Sequence, residues 1–157
     1  MKKIIRNALL SDYSDIDCFM KELHNIHVKN RPDMYAKTEH VYSLEEYKKI
    51  LNEKNMEVLV CVISEKIVGM CVITYKNSTQ NPIMVSTPIA YIEDIYVMEE
   101  YRLKGIGKEL YECVREKAKM RGCKRIELMV WEFNSSAKEF YCKNGMTVQR
   151  SFLEDIL

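Results

Sequence analysis

From Lys3 to Leu9 apolar and polar residues alternate loosely, the two-residue period of a β-strand. Ile16, Phe19, Met20, Leu23 and Ile26 then recur at steps of three and four, which predicts an amphipathic helix ending near Lys29. No period holds from Asn30 to Tyr42, and Pro32 pushes Arg31 out of helical geometry, so a long loop is expected there. Ser43 and Glu46 form a capping box ahead of Tyr47, Ile50 and Leu51, the start of a short second helix.

The β-branched runs at 58–64 and 67–75 read as two antiparallel strands joined by a tight turn at Glu65-Lys66, neither of which favours a primed turn. Polar residues and two prolines make 77–88 a connecting loop, and Ala90 to Val97 is the next strand. Ile106, Leu110, Cys113, Val114 and Ala118 mark a helix that closes at Gly122. A strand at 125–131, a short helix from Ser135 to Asn144 stopped by Gly145, and a final strand complete the order β-α-α-β-β-β-α-β-α-β. The 157 residues form one domain, 1–157, with no internal repeat and no linker.

Composition narrows the classes. Hydrophobic residues at 47% and charged ones at 30% provide for both a core and a soluble surface, which excludes disordered and fibrous chains. Lys and Arg number 24 against 23 Asp and Glu, so no general field draws the chain to nucleic acid or to an anionic membrane. No apolar stretch reaches the roughly 20 residues of a membrane span. Arg6 and Asn7 interrupt the N-terminal apolar run, so it reads as a strand rather than a signal peptide, and cytoplasmic residence is expected. Six cysteines without C-x-x-C spacing are expected to be reduced and mostly structural. His24 and His27 lie one helical turn apart but lack a third ligand at suitable spacing, and no metal is expected.

Two of only five glycines fall together in Arg102-Leu103-Lys104-Gly105-Ile106-Gly107-Lys108, between a strand and a helix. A missing Cβ lets an anion approach the backbone, and the unpaired N–H groups of a first helical turn, with the helix dipole behind them, hold phosphate. The nucleotide-triphosphate loop does not fit, because Arg102 and Glu109 stand where it needs glycine and Ser or Thr. The dinucleotide fingerprint fails at Leu110, where a third glycine is required.

The pattern that fits is Arg/Gln-x-x-Gly-x-Gly/Ala. With YIEDIYVMEEYRLKGIG at 91–107 and NSSAKEFYCKNGM at 134–146, the chain resembles the GNAT superfamily of acyl-CoA-dependent N-acetyltransferases over about a third of its length. The resemblance implies an α/β fold with a mixed, mostly antiparallel twisted sheet flanked by helices, and acetyl-CoA held between two diverging parallel strands. It implies that the backbone of Ile95, Tyr96 and Val97 and the loop residues Arg102, Lys104, Gly105, Ile106, Gly107 and Lys108 bind the cofactor, together with Asn134, which equally suits an N-cap. It also implies that Tyr141 protonates the departing thiolate. Leu103 departs from many relatives, which have glycine there.

Glu93 is the expected base or cation-binding group, on the acceptor side of its strand, with Asp94 on the opposite face. An alkylammonium of pKa about 10.4 costs roughly 4.6 kcal/mol to deprotonate at pH 7, so an ordinary carboxylate is expected to work through water or to bind the cation. IEDIYVMEEYR at 92–102 and Glu132-x-Asn134 look like diamine and polyamine acetyltransferases, so the expected acceptor is a primary amine on a small cationic molecule. A protein or peptide amine and a non-catalytic acyl-CoA-binding regulatory module are the alternatives. The loop from Asn30 to Tyr42 is the expected acceptor-side lid, and a free sheet edge near the end of the chain suits a homodimer.

Overall fold

The computed structural model describes residues 2–157. Strands β1 (Lys3–Asn7), β2 (Met56–Ile63), β3 (Lys66–Asn77), β4 (Pro88–Val97) and β5 (Arg125–Glu127) form one sheet in that spatial order. Neighbours from β1 to β4 are antiparallel, and β4 and β5 are parallel. Helices α1 (Tyr13–Asn30) and α2 (Leu44–Asn52) cover one face, α3 (Ile106–Met120) covers the other, and α4 (Ser135–Lys143) follows β5. The expected mixed α/β architecture is the one observed.

Both faces of the central strands are buried, which is why β2 and β3 are nearly continuous apolar runs rather than alternating ones. Leu59, Cys61, Cys71 and Ile73 pack with Leu110, Val114 and Ala118 of α3. Val58, Val60, Met70 and Val72 pack with Ile16, Phe19 and Met20 of α1 and Tyr47 of α2. At the β1–α1 corner Arg6 grips the buried Asp12 through two nitrogens, at 2.7 and 3.1 Å, and the Leu9 N–H donates to the same carboxylate. That pairing holds Asp12 below its ordinary pKa.

Three expectations need correction. Ile63 pairs with Lys66, so the β2–β3 turn is Ser64-Glu65, one residue earlier than the hydrophobic runs suggested. Both turn residues have positive φ, 48° and 67°, the geometry whose twist matches that of the flanking strands. β5 is three residues long rather than seven, and Trp131, the end of the expected strand, packs instead against Tyr35 of the 31–43 loop. No final strand follows α4 among the described residues. Apolar residues there fall at Val148, Phe152, Leu153 and Ile156, without a two-residue period, and all four are exposed.

Left-handed backbone at two side-chain-bearing residues is costly, and Asn-Gly is the preferred pair for this turn. Replacing Ser64-Glu65 by Asn-Gly should stabilise the protein by about 1 kcal/mol and raise Tm by about 2–4 °C. Thermal unfolding followed by circular dichroism checks this, and an unchanged or lowered Tm contradicts the turn assignment.

Candidate active site

β4 and β5 pair only from Ile89 with Arg125 to Tyr91 with Glu127, after which β4 continues alone to Val97. The strands therefore part at the C-terminal end of β4. The direction of the unpaired backbone groups follows from the ladder, in which successive residues point to alternate neighbours. The Met98 N–H donates to Val68 O on the β3 side at 2.9 Å. The N–H groups of Ile95 and Val97 therefore face the gap left by β5. Consistent with this, the Val97 carbonyl accepts a bond from Arg102 Nε at 2.9 Å, which folds the following loop back over the strand end.

The β3–β4 ladder contains a bulge: Val72 pairs with Asp94 and Ile73 with Ile92, leaving Glu93 as an extra residue. Ile92 belongs to the α3 side of the sheet and Tyr96 to the α1 side, although a regular strand puts residues four apart on one face. Asp94, opposite Val72 and two residues before Tyr96, thus lies on the α1 side of the sheet, where simple alternation from Ile92 would have put it on the α3 side. Glu93 is exposed at the bulge, and both carboxylates act on the Tyr42 phenol, whose pKa is raised by burial and then by Asp94 and Glu93. Burial, with a contribution from Glu93, lifts Asp94 from the ordinary 3.8 to about 6. Strict alternation hid this residue, and the adjacent Glu93-Asp94 pair was its only signal in the sequence.

The two loop glycines differ in purpose. Gly105 caps α3 in the left-handed region at φ 81°, with only the Glu109 carboxylate within 4 Å of a built Cβ, at 3.9 Å. Gly107 has no such strain, but a Cβ there would lie 3.2 Å from the Phe140 ring, so its bareness serves the contact of α3 with α4. Unlike α2 and α4, α3 has no side chain bonded to its first turn. Its first helical bond runs from Glu109 N–H to Gly105 O, which leaves the N–H groups of Ile106, Gly107 and Lys108 without helical acceptors. Lys3 pairs with Glu109 and offsets its charge beside this turn. Lys104 lies over the Tyr101 ring at 5.2 Å, Lys108 is exposed, and Leu103 takes φ 60° where glycine would be unstrained.

Tyr141 on α4 is buried, its ring in edge contact with Phe140. Burial foremost, then Cys71, Asp94 and Tyr111, pushes the phenol well above its ordinary pKa, so it stays protonated and able to donate. Asn134 Oδ1 accepts from Ala137 N–H at 3.2 Å as the N-cap of α4, leaving its amide NH2 for another acceptor. His24 bonds the Ala36 carbonyl at 2.7 Å, and both His24 and His27 rings rest on Tyr35, so they seat the 31–43 loop. Burial foremost lowers the His27 pKa. Among the described residues no cluster of three His, Cys, Asp or Glu suits a metal ion.

Residues 20–146 match the model of the acetyltransferase (GNAT) family. The chain belongs to the GNAT family. Among solved GNAT-like folds, the BH1408 protein from Bacillus halodurans is 32% identical with a TM-score of 0.93, over 98% of this chain and 99% of that one. A thialysine N-epsilon-acetyltransferase from Bos taurus is 43% identical over 51 residues, 32% of this chain and 30% of the relative. An L-ornithine N5-acetyltransferase from Arabidopsis thaliana is 43% identical over 58 residues, 37% of this chain and 25% of the relative. The matched segments thus span less than a third of either curated relative.

Asp94 carries a cost that a neutral isostere removes. Its carboxylate is disfavoured in the fold above the folded pKa of about 6, and the penalty vanishes below the ordinary value of 3.8, where the group is protonated in both states. Asp94→Asn should therefore stabilise the protein by about 2 kcal/mol at pH 7, after allowance for partial exposure, with the gain fading as pH falls through 6 towards 4. Urea unfolding at pH 7 and pH 4 measures the difference, and an equal effect at both pH values contradicts the burial of this charge.

Proposed function

We propose that this protein transfers the acetyl group of acetyl-CoA to the distal primary amine of a small cationic acceptor, by direct attack on the thioester. The observation carrying this reading is the parting of β4 and β5, which leaves the N–H groups of Ile95 and Val97 unpaired next to Asp94, with the first turn of α3 approaching Val97 at Gly107. Acetyl-CoA, when bound, supplies a thioester carbonyl and a thiolate leaving group. The open first turn of α3, with Gly105 bare in front of it, fits the diphosphate of that carrier. Asn134 has a free amide for the pantetheine arm.

Each proton then has a holder. The Ile95 and Val97 N–H groups donate to the carbonyl oxygen as it gains charge. Asp94, poised at about 6, takes a proton from the ammonium more readily than an ordinary carboxylate, and exposed Glu93 draws the cation in from solvent. The Tyr141 O–H donates to the sulfur as the C–S bond breaks. The acceptor class is supported by the two curated relatives, whose named substrates, thialysine and ornithine, are amino acids with a distal amine.

Release of free thiol from acetyl-CoA, measured with diamines, diamino acids, amino sugars and peptides, tests the reading; release no faster than the blank with every amine rejects it. In wild type kcat should fall about tenfold per pH unit below pH 6, where Asp94 becomes protonated and unable to accept a proton. Asp94→Asn should lower kcat about 100-fold and abolish that limb. Tyr141→Phe should lower kcat about 10- to 100-fold while calorimetric affinity for CoA stays within about twofold. A limb that persists in Asp94→Asn, or undiminished turnover in Tyr141→Phe, removes the respective residue from its role.

A further inference from the structure

At the end of α1 the Arg31 guanidinium lies 5.0 Å above the Trp131 ring, and its side chain is only 16% exposed. Asp33, two residues on, takes one edge of the fork, with Nε at 3.0 Å and Nη2 at 2.8 Å. Glu154 takes the other edge, with Nη1 at 2.7 Å and Nη2 at 3.0 Å. The two partners differ in kind. Asp33 is local and orients the arginine, whereas Glu154 arrives from 123 positions away, on a segment without regular structure. Phe152, Leu153, Ile156 and Leu157 around it are 79–113% exposed, so burial of apolar neighbours does not hold Glu154 in place.

The floor beneath Arg31 is built. Trp131 Nε1 donates to the Tyr35 hydroxyl at 3.2 Å, Trp131 stacks on Phe133 at 5.8 Å, and Tyr35 rests on His27 at 5.0 Å. This aromatic wall continues toward the carboxylates of β4. The Tyr91 phenol lies against the Met129 backbone and feels both Glu93 and Asp94. Met129 and Trp131 are two residues apart, at most about 7 Å of extended chain. Tyr91 thus ties the Glu93-Asp94 stretch of β4 to the segment that carries the Trp131 floor of Arg31.

We propose that Arg31, on its Trp131 floor, is a carboxylate-binding subsite for the acceptor, and that Glu154 occupies it until the acceptor's carboxylate displaces it. The proposal rests on the acetyl-transfer reading and narrows its acceptor from any small amine to a zwitterion. The distal ammonium meets Asp94 and Glu93, and the carboxylate meets the two-point fork of Arg31, which matches a planar carboxylate in geometry as well as charge. Exchange of one carboxylate for another leaves the local charge unchanged. A diamine of the same length presents an ammonium to Arg31 and leaves Glu154 in place.

The test compares L-ornithine with 1,4-diaminobutane, which carries the same distal amine without the carboxylate. In wild type, kcat/KM for ornithine should exceed that for the diamine at least tenfold. Arg31→Met should lower the ornithine value about 10- to 100-fold, mainly through KM, and bring the ratio toward one. Glu154→Gln should lower the KM for ornithine severalfold. An unchanged ratio in Arg31→Met overturns the subsite. Calorimetric titration of ornithine reads the site without turnover: binding by wild type that is lost in Arg31→Met and tightened in Glu154→Gln supports it, and no binding by wild type overturns it. Thiol release with the diamine alone refutes the subsite and leaves the transfer reading standing, whereas ornithine binding with no thiol release refutes the transfer reading alone. Should Arg31→Met fail to fold, Glu154→Gln decides, since unchanged ornithine affinity in that variant overturns the proposal.

Discussion

The ladder between β3 and β4 carries one residue too many on the β4 side, and the faces that Ile92, Asp94 and Tyr96 take follow from that insertion. Without Glu93 as an extra residue, Asp94 would face α3 and Ile92 and Tyr96 would compete for one face of the sheet. With it, the apolar residues before the bulge serve the α3 side, and Tyr96 after it serves the α1 side. The bulge also twists the strand. β4 has already lost β5 after Tyr91, just before the bulge, and beyond it the backbone N–H groups of Ile95 and Val97 face the gap.

A sheet opened in this way needs support elsewhere, and the two apolar layers supply it. The continuous burial of β2 and β3 leaves these strands little freedom to shift, so the edge of β4 is held as though by a wall. The first turn of α3 is fixed from within by buried Ile106 and Leu110, while the groups before it stay free. Gly107 lets the α4 ring of Phe140 approach, and the same contact seats Tyr141 one residue further on. Packing of two helices thus positions the Tyr141 phenol.

Electrostatics runs against stability at this place. Asp94 is kept in surroundings that favour its neutral form, and Tyr141 is buried far from any pH at which it ionises. Burial thus holds the Tyr141 phenol protonated and lifts the Asp94 carboxyl to about 6. Contrast Asp12, which is buried but matched by Arg6 through two bonds, and whose pKa falls. The same carboxyl is held charged in one setting and pushed toward its neutral form in the other.

Periodicity along the chain was enough to determine α1, the capped start of α2, the β2–β3 hairpin, α3 and α4, because each is a local pattern written within a dozen residues. The glycine loop ahead of α3 and the N-cap at Asn134 were legible for the same reason, whereas Tyr141 was picked out only through the family resemblance. What depends on pairing between distant segments was not legible. The register of β3 on β4 decided that Asp94 faces the α1 side, and the turn fell one residue early because the ladder, not the apolar run, sets its ends. Gly107 needed the position of Phe140 to be understood. Trp131 left its expected strand for Tyr35, and Arg31 found Glu154 across most of the chain. Local propensity specifies which segments become helix or strand, but the facing of a side chain across a sheet and the meeting of residues a hundred positions apart are set by how those segments share one core.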